Sequence, residues 1–169
     1  MFENLEFELE IRGYSPRTIA SYVMFNEKFL KFVQKDPRKV NNQDVKNYMC
    51  SKYKIDKAYI IGFSQGGSHT YVTGIKNPDV FEGIICFGAI MPDPQKFSWF
   101  LSEENIENGS NLKVFIAHGK SDPYPYKNAI KARRKLQKYK YDVEQHLFDG
   151  GHMIDPTTFL KALNWMGIQ

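Results

Sequence analysis

The chain has 169 residues, 42% hydrophobic and 15% aromatic, with a formal net charge of +4. That suffices for one sizeable core or two modest ones; it is too apolar for a disordered chain and too interrupted by charge for a membrane span. Cys50 and Cys86 are the only cysteines, which excludes a disulfide framework and a cysteine-based zinc site and suits a reducing compartment. Lys and Arg are interspersed with Asp and Glu, so composition makes no case for a dedicated nucleic-acid binder. The first residues, Met1-Phe2-Glu3-Asn4-Leu5-Glu6, are acidic where a signal peptide is cationic and then apolar, and a cytoplasmic location is the expectation.

Residues 1–53 read as helical throughout. Leu5, Leu9 and Ile11, with Phe2 and Phe7 nearby, predict a short helix that stops at Gly13. Ser15-Pro16 then starts a second helix, with a hydroxyl at the cap and proline in the first turn. Ile19, Tyr22, Val23, Phe25, Phe29, Leu30 and Val33 recur at spacings of three and four, one apolar face of about five turns. Asp36-Pro37 ends it, and Asn41 or Asn42 caps a third helix carrying Val45, Tyr48 and Met49.

The period changes near residue 54. Four β-rich runs follow, at 58–63, 83–87, 112–117 and 143–148; the first three are almost continuously apolar, as strands covered on both faces are. Helical stretches at 66–76, 127–139 and 156–165 alternate with them, which implies βαβ units and a parallel sheet. Residues 93–111 read as a longer irregular connection, a surface flap. The expected fold class is therefore α/β: a helical segment over 1–53, then a unit over 54–169 with roughly four parallel strands and flanking helices.

The strongest chemical signal is Gly62-Phe63-Ser64-Gln65-Gly66-Gly67, which follows one expected strand and opens an expected helix. Such a turn strains the serine backbone and projects Oγ from the carboxyl edge of the sheet. Small residues at 62 and 66 suit the close approach of strand and helix, and the Gln65 amide lies where it can stabilise an oxyanion. The alternative is a glycine-rich turn with a chance serine. Two later loops sharpen the choice: the third strand runs into His118-Gly119-Lys120-Ser121-Asp122-Pro123, and the fourth into Phe148-Asp149-Gly150-Gly151-His152. Parallel strands put their carboxyl ends on one edge, so Ser64, Asp122 and His152 can converge there in the chain order this turn requires. In that arrangement His152 takes the Ser64 proton and Asp122 holds the imidazole. His69 and His118 read as packing residues.

The pieces GFSQGG at 62–67, HGKSDP at 118–123 and GGH at 150–152 resemble the α/β-hydrolase family, in particular its phospholipase/carboxylesterase branch. The resemblance covers roughly residues 54–169. It implies Ser64 as nucleophile, Asp122 as orienting acid, His152 as base and the Gln65 amide as one oxyanion donor, acting on small carboxylic esters or thioesters with no metal and no cofactor. Family members carry more strands before the nucleophile turn, and a loop there supplies the second oxyanion donor. Here those positions read as helices, so 54–169 corresponds to the C-terminal half of the family's sheet, and turnover is expected to be low or absent.

Residues 1–53 have a separate resemblance. Phe2 to Glu10, then Arg12 to Tyr22 (RGYSPRTIASY), then Phe29-Leu30 and Phe32 resemble the SAM-like core-binding domain of Xer-type tyrosine recombinases. That resemblance implies DNA contact through cations such as Arg12, Arg17 and Lys28, although the simpler reading of each is a solvated surface. The segment has nine Lys/Arg against seven Asp/Glu. Two unrelated pieces meeting near Tyr53 suggest a chimera, either a scaffold without selected activity or a DNA-binding module with an α/β partner. The outer edge of the strand at 58–63, open in such a chimera, offers a route to a homodimer.

Overall fold

A computed structural model describes residues 2–53, 55, 57–124 and 126–168. The chain forms two compact units, Met1–Ile55 and Asp56–Gln169.

The first unit holds three helices: α1 (Glu3–Ile11), α2 (Pro16–Val33) and α3 (Asn42–Tyr53). The turn after α1 uses Gly13 at φ 76°, in the left-handed region where a Cβ would be strained. α2 starts with Pro16 in its first turn, and the Ser15 Oγ accepts the Thr18 amide at 3.2 Å. Asp36 caps a single 3₁₀ turn, Pro37–Lys39, which lies where the sequence indicated only a stop. Asn41, of the two asparagines considered, caps α3: its Oδ1 accepts the Asp44 amide at 3.1 Å, and the Asp44 carboxylate accepts the Asn41 amide at 3.0 Å. The apolar face expected on α2 is only partly enclosed. Ile19 is buried, but Tyr22 and Phe25 are exposed.

The second unit is a four-stranded sheet, entirely parallel, in the order β1 (Tyr59–Phe63), β2 (Gly83–Phe87), β3 (Lys113–Gly119), β4 (Asp142–Phe148). Between them run α4 (Gln65–Lys76), α5 (Glu103–Asn108) and α6 (Lys127–Lys138), and α7 (Pro156–Met166) follows β4. Alternation along the strands sorts the core into two layers. Ile84, Cys86, Val114 and Ile116 pack with residues of α4, α5 and α6, including Tyr71, Ile75, Ile106 and Leu136. Ile85, Phe87, Phe115 and Ala117 pack on the opposite face with Ala162 and Met166 of α7. Coverage of both faces is why β2 and β3 read as unbroken apolar runs.

The connection at 93–111 is more ordered than expected. Ser102 and Asn105 form a reciprocal capping box that starts α5, and Leu101 and Ile106 are fully buried. Trp99, at 78% exposure, stands at the surface.

Candidate functional site

The turn between β1 and α4 places Ser64 at φ 55°, ψ −124°, a conformation that costs a non-glycine residue free energy and persists only where its surroundings impose it. Here they do. The Ser64 amide donates to the Phe87 carbonyl at 2.9 Å, which ties the turn to β2, and the Ser64 carbonyl accepts the Ser68 amide at 3.1 Å. A Cβ at Gly62 would drive into Thr70 Oγ1 and the Gly66 carbonyl, and one at Gly67 would lie 2.6 Å from the Ala89 methyl. Gly66 has open space where its Cβ would be. The need for small residues therefore falls on 62 and 67 rather than on 62 and 66.

Asp122 enters from the loop after β3 and His152 from the loop after β4. The His152 Nδ1–H donates to Asp122 Oδ2 at 2.8 Å, and Ser64 Oγ donates to His152 Nε2 at 2.8 Å. The assignment of ring protons follows from the carboxylate, which only accepts. Asp122's side chain is fully buried, while the His152 side chain keeps 24% exposure, so the imidazole is open to a substrate and the acid is not. The second carboxylate oxygen accepts the Tyr124 amide at 2.8 Å. Three strand ends thus bring three side chains into one relay.

Residues that the sequence did not single out shape its walls. The His152 ring lies against Phe63 and Tyr124, with centroids 4.6 Å and 5.2 Å away. Gly88, at φ 52°, leaves the space that the ring fills: a Cβ there would sit 3.1 Å from His152 Nδ1. A glycine just past a strand end was the available signal for it. Ser64, Gln65, Ser68, Gly88, Ile90 and Tyr124 line a cavity of about 230 Å³, smaller than the roughly 300–1,000 Å³ of sites that enclose a drug-sized ligand. Gln65 opens α4, so its amide is among the first helical N–H groups, which have no carbonyl partner within the helix. Cys86 lies inside the α4 side of the core, where burial pushes its thiol well above the ordinary range.

Among the described residues, no group of three His, Cys, Asp or Glu side chains is placed to hold a metal ion, and no helix is long and apolar enough to cross a membrane. In the helical unit Arg12 pairs with Glu8 at 3.4 Å, Lys28 Nζ lies 5.7 Å from the centre of the Phe25 ring, and Arg17 is exposed beside Thr18 and Ser21. A larger cavity, about 510 Å³, lies in that unit among Phe2, Val23, Leu30 and charged side chains; it sets no hydroxyl beside an imidazole.

A parallel sheet with a strained serine turn and an acid–imidazole pair on its carboxyl edge is the architecture of the α/β-hydrolases. The fold comparisons agree. A Bacillus cereus carboxylesterase superposes with a TM-score of 0.57 at 19% identity, over 75% of this chain and 58% of that one. A Zea mays acyl-protein thioesterase 2 gives 0.57 at 17% identity, over 75% and 62%. In sequence, acyl-protein thioesterase 1 of Mycosarcoma maydis is 27% identical over 113 residues, 64% of this chain but 45% of that protein. The profile of the family described as Phospholipase/Carboxylesterase matches residues 24–168. The chain belongs to that family, and it spans about half the length of the curated relative it matches.

Proposed function

We propose that this chain is a serine hydrolase of carboxylic esters or thioesters, with Ser64 as nucleophile, His152 as base and then acid, Asp122 as the orienting carboxylate and the Gln65 amide as an oxyanion donor. The observation that carries the proposal is the pair of 2.8 Å hydrogen bonds linking Ser64, His152 and Asp122. In this route His152 Nε2 takes the Oγ proton as Ser64 attacks the acyl carbon. The oxygen that becomes negative lies at the start of α4, where the Gln65 N–H and the helix dipole favour it. Collapse of the tetrahedral intermediate releases the alcohol or thiol, which leaves with the proton from His152, and water repeats the sequence on the acyl-enzyme. Every proton and electron pair in this route is carried by the chain, the substrate or water.

One donor gives a slower enzyme than two. Loss of a single oxyanion donor lowers turnover by roughly 10²–10³, and the small cavity holds little of an acyl chain. Hydrolysis of a p-nitrophenyl butyrate and of a butyryl thioester, compared between the wild type and Ser64→Ala, tests the reading. Slow hydrolysis abolished by the substitution supports it; equal background rates in both proteins contradict it.

β1 pairs with β2 along one side only among the described residues, and Ile61 is exposed. That supports pairing of two copies through residues 58–63 into one continuous sheet, read out as a dimer mass by light scattering. The cations Arg12, Arg17 and Lys28 support duplex binding by the helical unit only if affinity falls steeply with salt. Descent of that unit from a recombinase-like module, fused to a hydrolase segment, and a cytoplasmic location belong to the same reading.

A further inference from the structure

We infer that His118 is a positioning residue for the Ser64–His152–Asp122 relay, acting by pinning the loop that carries the acid; the inference rests on the hydrolase reading above. His118 stands near the end of β3, opposite Leu147 of β4, with no exposed surface. Its Nε2–H donates to the Tyr124 carbonyl at 2.9 Å, and the same nitrogen lies 3.4 Å from Asp122 Oδ2. A carbonyl only accepts, so the hydrogen is on Nε2. Nδ1 is buried and has no hydrogen-bond partner among the described residues. A buried polar atom left unpaired calls for an explanation, because a purely packing role is filled as well by an apolar side chain that loses nothing.

The explanation is the circuit that Nε2 closes. Tyr124 receives His118 on its carbonyl while its own amide donates to Asp122 Oδ1 at 2.8 Å. Asp122 Oδ2 faces both His118 and the Nδ1–H of His152, at 3.4 Å and 2.8 Å. The Tyr124 ring is in turn one wall of the His152 pocket. One donor on a rigid strand thus fixes the backbone that orients the acid and the ring that holds the imidazole. A glycine follows directly: a Cβ at Gly119 would run into the carbonyls of Gly150 and Gly151, so the loops bearing Asp122 and His152 pack tightly at this point. Reacting groups tolerate misplacement poorly, since about 1 Å can cost on the order of 10²-fold in rate.

The test uses three substitutions that separate the donor from the volume. In His118→Gln the side-chain amide reaches the position of Nε2; in His118→Asn it does not; His118→Leu removes the donor altogether. Two readouts are followed, the rate of covalent labelling of Ser64 by a fluorophosphonate and the downfield proton NMR resonance of the His152 Nδ1–H held by Asp122. The expected result is labelling about tenfold to a hundredfold slower in the Asn and Leu variants, with that resonance broadened or lost. The Gln variant keeps the resonance and labels within about threefold of wild type by the same estimate. Asn and Gln variants that behave alike, or a folded Leu variant with wild-type labelling and resonance, overturn the inference. Should the Leu variant fail to fold, the Asn–Gln pair decides it. If the wild type itself goes unlabelled, the hydrolase reading fails, while the resonance still reports on His118 because it needs no turnover.

Discussion

In the α/β unit Phe87 and Phe115 are completely enclosed, whereas in the helical unit Phe7, Phe25 and Phe32 are 62%, 51% and 46% exposed. The raw material is similar, aromatic-rich sequence with regular periodicity, and the difference lies in what each architecture can cover. A parallel sheet offers two faces, each closed by helices, so its side chains are covered above and below. Three helices form a small body in which much of the surface stays wet, and among its described apolar side chains only Leu9 and Ile19 are buried. The relay is found where the backbone is over-determined. A serine held at positive φ and three loops matched to within hydrogen-bond tolerance need a scaffold that does not yield, and the sheet is that scaffold.

This contrast can be broken by substitution. Phe115→Ala is expected to destabilise the α/β unit by about 3–5 kcal/mol, and Phe25→Ala to change stability by no more than about 0.5 kcal/mol, both read from denaturant midpoints. Similar losses at the two positions would show that the helical unit is covered in solution. Within the α/β unit, Gly62→Ala forces a methyl against backbone and is expected to lose about 1–3 kcal/mol together with Ser64 labelling. Gly66→Ala, four residues on in α4, meets open space and is expected to be neutral or to gain up to about 1 kcal/mol, from a residue that loses less entropy in a helix. If the two alanines behave alike, the turn at Ser64 is not packed through Gly62.

Smaller effects probe the segment between β2 and β3. Ser102→Ala removes half of the capping box on α5 and is expected to cost about 1 kcal/mol, measured by thermal unfolding. Glu103 on the same helix accepts from Lys135 and Tyr139 of the α6 region, each at 2.6 Å. The Lys135 bond first, then that from Tyr139, holds its carboxyl below the ordinary range. The folded-state value being lowered, the stabilisation is complete above the usual carboxylate pKa of about 4.3 and fades as the pH falls through the folded value. Both side chains are partly solvated, so the effect stays under about 1 kcal/mol. Glu103→Gln is expected to flatten that part of the acid limb in a pH series of unfolding midpoints; an unchanged limb would remove the pair from the account.

The strands and the loops that follow them were legible because a doubly covered sheet writes itself as apolar runs ended by glycine, aspartate and histidine. Ser64, Asp122 and His152 could be found from strand ends alone, since a parallel sheet collects those ends on one edge. α5 was obscured because its cap, Ser102 with Asn105, sits among Asn, Gly and Ser residues that also mark loops. The requirement at Gly67 rather than Gly66 depends on which side of α4 meets Ala89, a matter of helix rotation that periodicity does not resolve. Tyr124 meets His118 and Asp122 through its backbone carbonyl and amide, and backbone contacts leave no mark on residue type, so the part His118 plays beside them was hidden as well. On α2, regular spacing predicted a buried face, but spacing states only where side chains point. It does not say whether anything lies opposite.

The most direct test of the relay is the location and dependence of fluorophosphonate labelling, read by peptide mass spectrometry. A single adduct on Ser64 is expected, absent in Ser64→Ala and slowed by at least about 10³-fold in His152→Ala, because among the described residues His152 is the base that the hydroxyl meets. An adduct on another serine, or labelling of Ser64 that persists unchanged without His152, would contradict it.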